Sequence, residues 1–224
     1  MKPAAADTGP TVTSSVAVYA ENLLTSGPVS APAAPVGRTA ADRPADLIQP
    51  TATKGALALE LKKHATARAL AGDPGDEREY PMYPAELTSP YLDRFSAAAA
   101  QRYKALGIER DDPDRPKKIA TLNSEAFGAP VVLFCYLHRT MGPGQWGDAG
   151  MYLQTVMLLL RAEGLHSCPQ VMWTMYRKTV SRIVGAADTL ALFCGVSVGF
   201  EKEDVPRLRT ERADMTETVS FIGA

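Results

Sequence analysis

The chain has 224 residues, 46% of them hydrophobic, and its 24 basic and 25 acidic side chains leave a formal net charge of -1. That is apolar material enough for one sizeable core, while the near-neutral balance gives no field over the whole surface to gather nucleic acid or anionic lipid. No stretch has the apolar length of a membrane-spanning helix, and the three widely spaced cysteines, Cys135, Cys168 and Cys194, indicate neither a disulfide framework nor a zinc site, so the expectation is a cytoplasmic protein with buried free thiols.

Residues 1–54 are rich in Ala and Pro and carry only short apolar runs such as VAVYA and ENLL, which predicts an irregular N-terminal segment ahead of a folded domain over 55–224. From Gly55 to Ala71 the pattern is helical, with Leu57, Leu61 and Ala65 on one face. The stretch GDPGDEREYPMYP breaks it with Pro74, Pro81 and Pro84, and helices are expected around 90–106 and 113–126. PVVLFCYL, 130–137, is a continuous apolar run with β-branched and aromatic members, the pattern of a strand covered on both faces. MGPGQWGD reads as a turn that opens into a largely apolar helix over 147–163, ended by Gly164. A loop follows, then a short helix over 176–184, and TLALFCGVSVGF, 189–200, is the second strong strand. The alternation predicts a mixed α/β or α+β domain.

GVSVG, 195–199, matches the nucleophile-elbow string G-x-S-x-G. Charged residues follow it rather than a helix, and no histidine lies beyond His166, so Ser197 reads as an ordinary strand residue. His166 and Cys168 stand two apart and would share a face on a strand, but a third partner at metal-ligand or triad spacing is missing. No catalytic side chain and no metal ligand is therefore assigned. His64 on a basic helix reads as solvated, and the role of His138, beside Arg139 at a strand end, stays open. RLRTER, with Arg207, Arg209 and Arg212, has two readings: surface ion pairs, or a site for a phosphomonoester, whose oxygens match the planar guanidinium fork.

Five stretches, YPMYPAEL, FGAPVVLF, MGPGQWGDAGMYLQTVMLLLRAEGLHSCPQ, LFCGVSVGF and RLRTERADMTETVSFIG, resemble in order and spacing the FMN-dependent nitroreductase family, over about residues 78–224. The branch they resemble is the one that reduces nitrobenzoates and related nitroaromatics. The resemblance implies an α+β, nitroreductase-like fold: a central, mostly antiparallel sheet wrapped by helices, assembled as an intertwined homodimer with FMN at the subunit interface and the 147–163 helix in the dimer core. It implies that Arg212, and next Arg209, hold the FMN phosphate. It also implies that Pro169, Gln170, Val171 and Met172 run along the flavin ring and present a main-chain amide to its reactive nitrogen, with Val171 standing where members usually carry a glutamate. The implied reaction is ping-pong, NAD(P)H giving hydride to FMN before a nitroaromatic or quinone is reduced in the same place.

Two family motifs depart from the pattern. R-R-S-x-R, which grips the phosphate and ribityl chain, has no counterpart. Of S-G-x-N-x-Q-P-W the best register, RPADLIQPT over 43–51, keeps Ile48, Gln49 and Pro50, with Leu47 in place of the asparagine and Thr51 in place of the tryptophan. Gln49 is carried as a candidate flavin contact. The N-terminal segment is read either as diverged or as translated from a shifted frame, and the alternative to an enzyme is a non-catalytic homologue that sequesters flavin or only dimerises.

Overall fold

The computed structural model describes residues 48–202, 208 and 210–223. Through them the chain runs β1 (Ile48–Thr53), α1 (Gly55–Leu70), α2 (Tyr91–Ala105), α3 (Arg115–Ser124), a 3-10 turn (Ala126–Gly128), β2 (Val131–His138), α4 (Pro143–Ala162), β3 (His166–Gln170), a 3-10 helix (Val171–Tyr176), α5 (Arg177–Val184), β4 (Leu190–Gly199) and the short α6 (Met215–Thr218). Among the described residues two compact units result, one comprising 48–79 with 120–201, the other 80–119 with 202, 208 and 210–223.

The first unit is built on an antiparallel sheet in the order β1-β2-β4-β3. The two continuous apolar runs became the two central strands, because only central strands with both faces covered can bury consecutive side chains. Each edge strand carries a proline, Pro50 in β1 and Pro169 in β3, where a missing ladder donor is tolerated. Both edges correct the sequence reading: residues 48–53 form a strand inside the segment expected to be irregular, and 166–170 form a strand where a loop was expected.

Alternation along β2 sends Val131, Leu133 and Cys135 into a core with Leu153, Val156 and Leu160 of α4. It sends Val132, Phe134 and Tyr136 into a second core with Leu61 and Ala65 of α1, Trp173, Tyr176, and Val180 of α5. Strand β4 changes faces midway. Cys135 pairs with Cys194 and Tyr136 with Leu192, so Phe193 is the extra residue of a bulge. Leu190 and Leu192 before it face α1, whereas Cys194, Val196 and Val198 after it face α4. The switch places Gly195 and Ser197 on the α1 side, with Gly195 directly against Trp173.

Helix α4 begins before its expected start. Pro143 occupies its first turn, where a missing N–H costs nothing, and Gln145 Oε1 accepts the Gly142 N–H at 3.2 Å, so the predicted turn MGPGQWGD is instead the opening of the helix. Ala149, Leu153, Val156 and Leu160 are buried, while Met151 and Leu158 are 65% and 60% exposed. Cys135 and Cys194 are buried free thiols as expected, but Cys168, on the edge strand, is exposed.

Among its described residues the second unit has no comparable core. None of the α2 side chains is buried; Tyr83 meets Phe95 edge-on at 5.2 Å, and Arg102 and Arg115 lie over the Tyr103 ring at 5.0 and 4.7 Å. Arg94 pairs with Glu217 of α6 at 2.7 Å, and Asp214 Oδ1 caps α6 by accepting the Thr216 N–H at 2.8 Å. Among the described residues no helix is long and apolar enough to cross a membrane.

Candidate functional site

The expected ring-binding stretch lies at the junction of β3 and the 3-10 helix. Pro169 is exposed, Val171 and Met172 are half-buried, and Gln170 between them is 4% exposed. The first N–H groups of a helix have no acceptor inside it, so the helix makes no use of the Val171 and Met172 amides. Thr174 Oγ1 donates to Val171 O at 2.7 Å and fixes the first turn.

The Gln170 side chain points into the core, so only its main chain lies along the stretch expected to meet the ring. Its Nε2 donates to Asn123 O at 3.0 Å and to Asn123 Oδ1 at 3.3 Å. Its Oε1 accepts the indole N–H of Trp173 at 3.2 Å and the Ser197 hydroxyl. Ser197 is thus a strand residue with a specific partner. Trp173 is fully buried and meets Phe134 edge-on, centroids 5.6 Å apart. Sequence reading missed Asn123 and Trp173, because three partners scattered over three elements leave no local pattern.

Arg212 is exposed, and its Nη1 donates to Thr210 O at 3.0 Å, to Thr210 Oγ1 and to Glu211 O at 3.3 Å. Its Nε and Nη2 hold no partner among the described residues, so the fork keeps donors for an anion. Arg209 and Arg207 lie outside the described residues. Gln49 is exposed on β1, at the sheet edge opposite β3, so three strand spacings, about 14 Å, separate it from Pro169–Met172 within one chain. Taken piece by piece, these groups suit a flavin nucleotide: a half-buried main-chain stretch for a ring edge and a cationic fork for a phosphate.

His166 and Cys168 do fall on a strand. The imidazole is engaged: Nε2 lies 2.6 Å from Arg161 Nη1 and 3.1 Å from Glu201 Oε2, and Nδ1 accepts the Glu201 N–H at 3.3 Å. His138 Nδ1 sits 2.8 Å from Thr140 Oγ1, and His64 lies 3.8 Å from Glu60 one helical turn away. Among the described residues no three His, Cys, Asp or Glu side chains gather as a metal site. Burial pushes the thiol of Cys135 up to about 12 and that of Cys194 up to about 11, which leaves neither as a nucleophile at neutral pH. Glu79, unremarked in the sequence, is clamped by Arg139 at 2.5 Å and Arg177 at 3.0 Å and accepts the Leu192 N–H at 3.2 Å, a contact that ties its loop to β4.

The model of the nitroreductase family matches residues 61–200. The nitrobenzene nitroreductase of Ectopseudomonas oleovorans is 28% identical over 146 residues, which are 64% of this chain and 64% of that protein, so the match spans just under two thirds of that relative's length. Nitroreductase NfnB of Mycolicibacterium smegmatis (strain ATCC 700084 / mc(2)155) is 31% identical over 160 residues, 69% of this chain and 68% of that one. Among solved structures, the FMN and NADPH-dependent nitroreductase NfnB from sphigopyxis sp. strain HMH superposes with a TM-score of 0.74 at 39% identity, covering 80% of this chain and 81% of the other. The sheet order, the helices on both its faces and a family match running from α1 through β4 agree: the chain belongs to the nitroreductase family.

Proposed function

We propose that the chain is an FMN-dependent oxidoreductase that uses NAD(P)H to reduce nitroaromatics or quinones. The observation that carries this reading is its likeness, at 39% identity, to a structure described as an FMN and NADPH-dependent nitroreductase. FMN, when bound, would supply the redox chemistry, taking hydride from NAD(P)H and passing electrons to the acceptor in a second half-reaction at the same place. The protein's share is binding, orientation and exclusion of water. Main-chain amides at Val171 and Met172 offer donors to the ring edge, stabilising the charge that reduction adds. Arg212, with Arg209, neutralises the phosphate by charge-assisted hydrogen bonds. No side-chain nucleophile is needed.

A homodimer belongs to the same proposal. Met151 and Leu158 leave an apolar stripe on the outer face of α4, and the separation of Gln49 from Pro169–Met172 within one chain fits a flavin site completed by a second copy. We place this assembly in the cytoplasm, with small molecules rather than nucleic acid or membrane as partners.

Anaerobic addition of NADPH to FMN-loaded protein should bleach the flavin, and a nitrobenzoate should restore the colour. Flavin that binds but stays oxidised would favour the second reading, a non-catalytic flavin-binding homologue, which the absence of R-R-S-x-R from the sequence supports.

A further inference from the structure

We propose that the Gln170 side chain is a positioning group for the flavin: it holds the main chain of Pro169–Met172 from beneath and does not itself touch the cofactor. The inference rests on the FMN reading above. Asn123 O can only accept and the Trp173 indole N–H can only donate, so the partners fix which end of the Gln170 amide faces which way. Both N–H bonds and both acceptor positions are then used, two toward Asn123 and one each toward Trp173 and Ser197.

The setting makes these bonds costly to lose. Gln170, Ser197 and Trp173 are 4%, 3% and 0% exposed, and a buried polar group deprived of its partner cannot turn to water. The partners are spread over the end of α3, the 3-10 helix and β4, so the amide fastens the end of β3 to three other segments. Gly195 contributes by having no side chain, which lets Trp173 lie against β4 with its indole N–H directed at Gln170. The residues on either side of Gln170 are the exposed Pro169 and the half-buried Val171, so the Val171 N–H, which the 3-10 helix leaves unused, belongs to the peptide joined directly to the anchored residue. A donor is effective toward developing charge only if held in place beforehand, and this network is what holds it.

The test uses the full chain and two variants, Gln170→Met, which keeps the shape without the hydrogen bonds, and Ser197→Ala, which removes one donor. Hydrogen exchange of the bonded amides of the 3-10 helix, Thr174–Tyr176, is followed without flavin, and affinities for oxidised and reduced FMN are measured separately. Both variants should exchange faster there, Gln170→Met more so, and reduced FMN should lose about threefold more affinity than oxidised FMN, the scale of one weakened neutral hydrogen bond. Unchanged exchange, or equal loss for the two redox states, would overturn the anchor while leaving the flavin reading intact. A parent protein that takes up no FMN would overturn both. Should Gln170→Met not fold, Ser197→Ala decides by the same criteria.

Discussion

Replacing Gly195 with alanine probes the packing on which the site is built. A Cβ at position 195 would stand 2.9 Å from Trp173 Cγ, 3.1 Å from its Nε1 and nearer still to Cδ1, closer than carbon atoms pack. Neither side can yield cheaply. Gly195 lies in the middle of central strand β4, and the indole is fully buried, set edge-on against Phe134 and bonded to Gln170. Overpacking of this kind costs about 1–3 kcal/mol, and a displaced indole would add about 1 kcal/mol for the lost hydrogen bond, giving about 2–4 kcal/mol in all. Urea unfolding should show the midpoint falling with the slope unchanged, and pairing Gly195→Ala with Trp173→Leu should recover part of the loss. A Gly195→Ala protein within about 0.5 kcal/mol of the parent would refute the close approach.

Other expectations follow from the same structure. Arg212→Ala should weaken FMN about tenfold or more, as befits a lost charge-assisted bond to phosphate, and leave riboflavin affinity unchanged; equal effects on both ligands would contradict the phosphate assignment. A thiol reagent at mildly alkaline pH should modify exposed Cys168 quickly and Cys135 and Cys194 only on unfolding. Burial raises Cys135 from 9.0 to about 12 and Tyr136 from 10.0 to about 12, so the stability they contribute is complete below pH 9 and declines as pH climbs toward 12. Cys135→Ala should flatten part of that decline in urea midpoints measured against pH. Leu158→Lys, on the apolar outer face of α4, should shift a dimer toward monomer in sedimentation equilibrium, and a parent that sediments as a monomer would remove the basis for the assembly.

The elements most legible in the sequence were those whose physics is local. The apolar runs around Phe134 and Val196 could only be central strands, and of the expected helical face Leu61 and Ala65 meet the sheet while Leu57 is exposed, Ala58 being buried instead. Proline misled in both directions: Pro143 was read as part of a turn where it starts α4, and Pro50 and Pro169 hid two edge strands. The stretch Pro169–Met172 was singled out through family resemblance alone, and the inward turn of Gln170 was not legible, since it depends on a bulge at Phe193 and on partners at positions 123, 173 and 197 that only the folded sheet brings together. The arginine cluster was legible as chemistry alone, because the neighbours that decide between surface ion pairs and an anion site are encoded by no spacing.

Titration of the purified protein with FMN, followed by quenching of flavin fluorescence, tests the central claim most directly. The account predicts saturation at one FMN per chain, with the bound flavin then bleached by NADPH in the absence of oxygen. Fluorescence that stays that of free FMN throughout the titration would contradict it.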